Sequence, residues 1–185
     1  MSQIQGSEVL WIELDGWMAK LRFSACHLIP NHPKCGRLHG HTYAVNVRAH
    51  GIRNGEFIID FELLKEMVAQ ICSRFDHHVI VAENDPRIHI TKNNDSAVIV
   101  IGDKTYQIPI EDIAFIPIDS TSAESLCVYV AGELARMIKT GDHRVSRLDV
   151  RIDEGVGQGA GCTVYLGGDN NEEYGTDNGD VRGSL

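Results

Sequence analysis

Two histidines one residue apart, a cysteine and two glycines crowd into Cys35-Gly36-Arg37-Leu38-His39-Gly40-His41. His41 opens a run, Thr42-Tyr43-Ala44-Val45-Asn46-Val47, that reads as a strand. On a strand, residues i and i+2 share a face and stand roughly 6.5–7 Å apart, so His39 and His41 point the same way. Upstream, Leu21, Phe23, Ala25 and His27 alternate with Arg22, Ser24 and Cys26, which puts His27 on the apolar face at the end of the preceding strand. Imidazole suits zinc, and three imidazoles leave a fourth tetrahedral position open, as in a catalytic rather than a structural site. A His-X-His pair on a strand is often only two histidines. The third histidine at matching parity, and the thiol of Cys35 four residues ahead of His39, favour a metal centre at His27, His39 and His41.

Two further places could do chemistry. Asp76-His77-His78 follows a helical pattern at once. A carboxylate beside an imidazole can orient it and raise its basicity, although spacing alone reads the pair as surface residues at a helix end. Glu154 continues the parity of Leu148, Val150 and Ile152. A carboxylate on an apolar face is costly without partners, so Glu154 is a candidate ligand contact unless the strand has already ended and the side chain is solvated. His32, in the loop Ile29-Pro30-Asn31-His32-Pro33-Lys34, reads as solvated rather than ligating.

The elements that must position these residues are legible in outline. A strand over 7–15, the turn signal Asp15-Gly16 and a strand over 17–26 suggest an opening hairpin. A half-exposed antiparallel strand runs from His41 to about His50. Asp60 sits where an N-cap belongs, and Leu64, Met67, Val68, Ile71 and Phe75 follow at helical spacing. Thr121 and Glu124 form a capping box heading a second helix, with Leu126, Val130, Leu134, Met137 and Ile138 on one face and Gly141 placed to end it. Strands over 145–153 and 162–166 close the domain. Residues 85–118 look like an insertion carrying a hairpin, with Gly102-Asp103-Lys104 at its turn. It shows little chemistry and is suited to extending a sheet edge or covering a surface.

A chain of 185 residues suits one domain with a sizeable core, or one domain and a tail. The five cysteines are odd in number and lack Cys-X-X-Cys spacing, which argues against a disulfide framework or a zinc ribbon. Cys72 and Cys127 fall in helical patterns and read as small core residues. A net charge of −9 argues against nonspecific binding to nucleic acid. No apolar run reaches the roughly 18 residues of a membrane span. The first residues show no signal-peptide pattern, so a cytoplasmic protein is expected. Residues 168–185 are rich in Gly, Asn, Asp and Glu, hold five acids against one arginine, and are expected to be disordered.

Taken together, Phe23-Ser24-Ala25-Cys26-His27, Cys35 through Tyr43, Ile59-Asp60-Phe61-Glu62-Leu63-Leu64-Lys65, Phe75-Asp76-His77-His78, Thr121-Ser122-Ala123-Glu124-Ser125-Leu126 and Asp153-Glu154 resemble the 6-pyruvoyltetrahydropterin synthase / 6-carboxytetrahydropterin synthase family, in that family's order and over about residues 17–167. The resemblance implies an α+β tunnelling fold (T-fold), with an antiparallel four-stranded sheet and two helices on one face, here with an inserted hairpin. It implies Zn2+ on His27, His39 and His41, with Cys35 as catalytic thiol. Asp76 and His77 would be a catalytic dyad reaching the site from a neighbouring subunit. Glu154 would anchor the pterin ring, with Ser122 and Glu124 near the same pocket. It also implies a homo-oligomer, a trimer or hexamer, acting on a pterin triphosphate.

The short Cys-X-X-X-His-Gly-His spacing resembles the 6-carboxytetrahydropterin branch of queuosine and archaeosine biosynthesis, which releases acetaldehyde and triphosphate. The animal tetrahydrobiopterin enzymes have a longer gap, and a third branch has glutamate near the cysteine position. The alternatives are triphosphate elimination alone, by a 6-pyruvoyltetrahydropterin synthase, or a zinc- or pterin-binding protein without turnover. The chain departs from the family in the 85–118 insertion, which compact bacterial members lack, and in having Thr121 where a proline is expected.

Overall fold

The computed structural model describes residues 8–141 and 143–166; the acidic tail lies outside the described residues. In chain order the elements are β1 (Leu10–Leu14), β2 (Arg22–His27), β3 (His39–Gly51), α1 (Phe61–Ser73), β4 (His78–Ala82), β5 (His89–Lys92), β6 (Ser96–Ile101), β7 (Lys104–Pro109), a 3-10 turn (Ile110–Asp112), β8 (Ile113–Ile116), α2 (Ala123–Lys139), β9 (Val145–Glu154) and β10 (Gly159–Tyr165).

The fold is α+β. The four strands β10-β9-β3-β2 form the expected antiparallel core. The sheet then extends by two strands the sequence did not reveal: β4 pairs with β2 and β8 with β4, both in parallel. The opening hairpin is not formed. β1 pairs with the second half of β3, from Val47 to Gly51, while β2 pairs with its first half, from His39 to Ala44. The 13-residue β3 is long enough to carry both along one edge. Residues 15–21 turn between them, with Gly16 N–H donating to Asn46 Oδ1 at 3.0 Å and Val45 N–H to the Leu21 carbonyl at 2.9 Å.

Both helices cover one face. Leu64, Val68 and Ile71 of α1 and Leu126, Val130 and Leu134 of α2 pack on Phe23, Tyr43, Val45, Val47, Leu148, Val150 and Ile152, all buried. The period-2 pattern of the strands and the helical spacing of α1 and α2 thus meet in one core. Asp60 caps α1 as expected, accepting from Glu62 N–H at 2.7 Å. The cap of α2 is shifted by one residue: Ser122, not Thr121, is the N-cap, and its hydroxyl accepts from Ser125 N–H. Thr121 is buried and has other work, described below.

The 85–118 region contains the predicted hairpin as β6 and β7, and β5 makes it a three-stranded sheet. A second small core of Leu28, Val81, Ala97, Ile99, Ile101 and Ile113 joins this sheet to the main one. No helix among the described residues is long and apolar enough to cross a membrane.

Candidate metal centre and active site

His27 and His39 face each other across the β2–β3 ladder, and His41 lies opposite Ala25. Their parity sets all three imidazoles on the helix-covered face. Ring centroids are 4.6 Å apart for His27 and His39, 5.2 Å for His27 and His41, and 5.0 Å for His39 and His41. One nitrogen from each lies within 4.8 Å of the others, so the cluster could hold a metal ion. Gly40 makes the close pairing possible. A Cβ there would lie 3.1 Å from the Ala25 carbonyl oxygen and 3.3 Å from Cys26 Sγ, so that β2 would have to give by a few tenths of an ångström.

The donors are prepared for a cation. His27 Nδ1 is 2.9 Å from the Thr121 carbonyl, and His39 Nδ1 is 2.7 Å from the Arg37 carbonyl. A ring nitrogen facing a carbonyl must carry the hydrogen, which leaves Nε2 with its lone pair for a metal. His27 is 1% exposed, and burial, more than the neighbouring imidazoles, pushes its pKa down to about 4. It is therefore the neutral ligand form near neutral pH. Its Nε2 is buried with no hydrogen-bond partner, as expected of an atom meant for a bound group. Thr121 completes the mount: its hydroxyl donates to the Leu28 carbonyl at 2.8 Å, so one residue fixes both His27 and the chain after it. The donor set fits a tetrahedral ion of the zinc type with one position left open.

Glu154 ends β9 on the same face, opposite Tyr43. Its side chain is 19% exposed, and its Oε1 is buried without a hydrogen-bond partner, 3.9 Å from His27 Nε2. The Tyr43 hydroxyl is also buried without a partner. Burial first, and the Glu154 carboxylate second, push its pKa up, so Tyr43 stays a neutral phenol. Sequence reasoning gave Tyr43 no role beyond the strand that His41 opens. Its parity with His39 and His41 was the available signal for a wall of the site, and no local pattern marked Thr121 as the partner of His27.

Cys35 sits half-exposed in the loop from β2 to β3, whose ends are His27 and His39. Its N–H donates to His32 Nδ1 at 2.8 Å, and its carbonyl accepts from Ile29 N–H at 2.8 Å. His32 is exposed, as expected, but it also shapes the loop.

Asp76 and His77 form a pair, with Oδ2 3.0 Å from Nδ1. Asp76 also accepts from Ser24 N–H at 2.8 Å. That hydrogen bond is the largest cause of a lowered Asp76 pKa, with the His77 bond contributing. His77 has a positive φ of 62° and borders an open cavity of about 610 Å3 with Ser24, Cys26, Gly40 and Thr42, and also with His41 of the imidazole cluster. The first four alternate with the metal-facing positions along β2 and β3. Of the three imidazoles only His41 borders that cavity, and the His77 side chain is 82% exposed. Ser122 is spent on its cap bond, and Glu124 is exposed beside Asn84, Asp119 and Tyr129, bordering a different cavity.

The sequence model of the 6-pyruvoyl tetrahydropterin synthase family matches residues 18–164. A Methanocaldococcus jannaschii protein described as a candidate 6-carboxy-5,6,7,8-tetrahydropterin synthase is 39% identical over 160 residues, 85% of this chain and 98% of its own. A Pyrococcus horikoshii protein of the same description is 31% identical over 122 residues, 65% of this chain and 71% of its own. The crystal structure of Plasmodium vivax 6-pyruvoyl tetrahydropterin synthase superposes with a TM-score of 0.77 at 28% identity, covering 85% of this chain and 99% of the other. The fold is the T-fold of those enzymes, and the chain belongs to the 6-pyruvoyl tetrahydropterin synthase family.

Proposed function

We propose that the chain converts 7,8-dihydroneopterin triphosphate and water to 6-carboxy-5,6,7,8-tetrahydropterin, acetaldehyde and triphosphate, with zinc held by His27, His39 and His41. A pterin-synthase activity on a small pterin substrate goes with the family. The observation that supports this reading is the cluster of three imidazoles with an unpartnered Nε2, 3.9 Å from an unpartnered Glu154 oxygen, with Cys35 in the loop that joins His27 to His39. The descriptions of the archaeal relatives support the same branch.

When bound, zinc supplies a Lewis acid for a substrate side-chain oxygen. The chain's own groups do the rest. Glu154 accepts hydrogen bonds from the pterin amino and ring N–H groups, which orients the ring and offsets the cost of burying the carboxylate. Cys35, as thiolate, takes and returns a proton at a side-chain carbon. In the dyad, the Asp76 carboxylate holds His77 Nδ1, so Nε2 is the atom that exchanges a proton with substrate. The 82% exposure of the His77 side chain supports a dyad that acts at the site of a neighbouring copy in a homo-oligomer, a trimer or hexamer. Ser122 and Glu124, at the head of α2, reach the pterin only if a neighbouring copy brings the cavity beside Glu124 to the site. The activity is a carbon–carbon and carbon–oxygen lyase in the cytoplasm, supplying queuosine or archaeosine biosynthesis for tRNA modification.

A second reading, elimination of triphosphate without side-chain cleavage to give 6-pyruvoyltetrahydropterin, is favoured by the likeness to the Plasmodium vivax enzyme. Anaerobic incubation of zinc-loaded protein with 7,8-dihydroneopterin triphosphate, followed by mass identification, separates the two. 6-Carboxytetrahydropterin with acetaldehyde is the expected result. 6-Pyruvoyltetrahydropterin would replace it with the second reading, and no pterin product would overturn both.

A further inference from the structure

The loop over 29–37 is fastened at four points by the region that follows β4. At its start, Leu28 is buried in the small core with Ala97, Ile99 and Ile101 of β6. At its end, Leu38 borders the same apolar cavity as Ile99, Ile101, Tyr106 and Ile108. Between the two leucines, cations take two backbone carbonyls. Arg87 Nη1 donates to the Pro30 carbonyl at 3.0 Å, and Lys104 Nζ donates to the Gly36 carbonyl at 2.8 Å.

Neither cation is placed by chance. Arg87 is forked onto Asp85, Nε to Oδ1 at 2.8 Å and Nη2 to Oδ2 at 2.7 Å, and Asp85 is 2% exposed. A bidentate guanidinium has little freedom, so the Pro30 carbonyl is held against a buried point. Lys104 starts β7, directly after the turn at Gly102 (φ 58°). The carbonyl it holds belongs to Gly36, the residue after Cys35. Gly36 N–H is already bound to the His32 carbonyl at 2.9 Å, and a Cβ on Gly36 would lie 2.5 Å from that oxygen. The turn is therefore tight, and a force on the Gly36 carbonyl moves Cys35 with it.

We propose that the three-stranded sheet β5-β6-β7 is a positioning device for the Cys35 loop, with Arg87 and Lys104 as its positioning residues. The sheet sets where the thiol stands relative to the imidazoles at the two ends of the loop. One exposed hydrogen bond adds little stability, but a displacement near 1 Å at a reacting group can cost about 100-fold in rate. This inference rests on Cys35 as the reactive thiol of the proposed reaction.

The test uses the full zinc-loaded chain with Lys104→Met and Lys104→Arg. Two quantities are read: hydrogen–deuterium exchange at the Ile29 and Gly36 amides, and kcat and KM on 7,8-dihydroneopterin triphosphate. Lys104→Met should exchange at least about threefold faster at both amides, reflecting looser local structure, and should lose about tenfold in kcat with KM within about twofold. Lys104→Arg should restore both. Arg87→Lys, which keeps the charge but breaks the fork, should also speed exchange at Ile29. Unchanged exchange with kcat within about twofold in Lys104→Met overturns the inference. A wild type without turnover defeats the proposed reaction, and the exchange measurement then decides the fastening by itself.

Discussion

His27 Nε2 and Glu154 Oε1 stand 3.9 Å apart, both buried and both without a hydrogen-bond partner. Two unsatisfied polar atoms facing each other in a protein interior cost stability unless a bound group pairs with them. In the proposed reaction the nitrogen faces the ion and the carboxylate faces a donor on the pterin.

Replacing Glu154 by Gln keeps the shape and removes the charge. Glu154→Gln should retain metal and lose about 10- to 100-fold in kcat/KM, the size of a lost charge-assisted hydrogen bond. Steady-state kinetics alongside metal analysis checks this. A variant with full activity would remove Glu154 from pterin binding.

The mount of His27 can be tested without touching a ligand. Thr121→Val removes the hydroxyl that satisfies the Leu28 carbonyl. Leaving that acceptor unpaired should cost about 1–3 kcal/mol in chemical denaturation. It should also weaken zinc about 10- to 100-fold, as expected when the support of a ligand is disturbed. An unchanged zinc titration would show that the backbone carbonyl alone holds the ring.

Metal binding to three preformed imidazoles stabilises only the folded chain. Chelation should therefore lower Tm, and His39→Ala should abolish the difference between chelated and zinc-loaded samples. Calorimetry with and without chelator reads both. A Tm indifferent to chelation in the parent protein would argue against an ion at the cluster.

Cys35→Ala should bring turnover close to background while zinc stoichiometry stays that of the parent, because the thiol is proposed to move protons and the imidazoles to hold the metal. Activity equal to the parent would take Cys35 out of the mechanism.

The Asp85–Arg87 fork should be visible in acid. Burial pushes the Asp85 pKa up, but the hydrogen bonds and charge of Arg87 more than offset it, and the net shift is downward. A carboxyl with a folded pKa below its unfolded value, about 3.9, contributes stability that is present above pH 4 and is lost as the pH falls through the folded pKa. Asp85→Asn should therefore be less stable than the parent at pH 7, and the gap should narrow below about pH 4. Urea midpoints from pH 7 to pH 3 test this; a constant gap would mean that the effect is one of packing.

What the sequence determined by itself was local. Alternation over 21–27 and 39–43 fixes which side chains share a face, because a strand repeats every two residues. That was enough to set three histidines on one face, and the same alternation over 148–154 set Glu154 on the apolar face of its own strand. The cap at Asp60 and the helical spacing of α1 and α2 were readable for the same reason, since they depend on neighbours three or four residues apart. The motifs in their order also pointed to the family and its α+β fold.

Tertiary structure decided what depends on partners far along the chain. Nothing local says that β1 pairs with β3 rather than β2, or that β4 and β8 join in parallel, because register and pairing are chosen by which faces can be buried together. The one-residue shift of the α2 cap has the same origin. Thr121 could cap a helix by its residue type, but packing gave its carbonyl to His27 and its hydroxyl to Leu28, 94 and 93 residues away in sequence. The hydrogen bond from Ser24 N–H to Asp76 across 52 residues, and the hold of Lys104 on Gly36 across 68, likewise arise only when the sheets have closed on the helices and on each other.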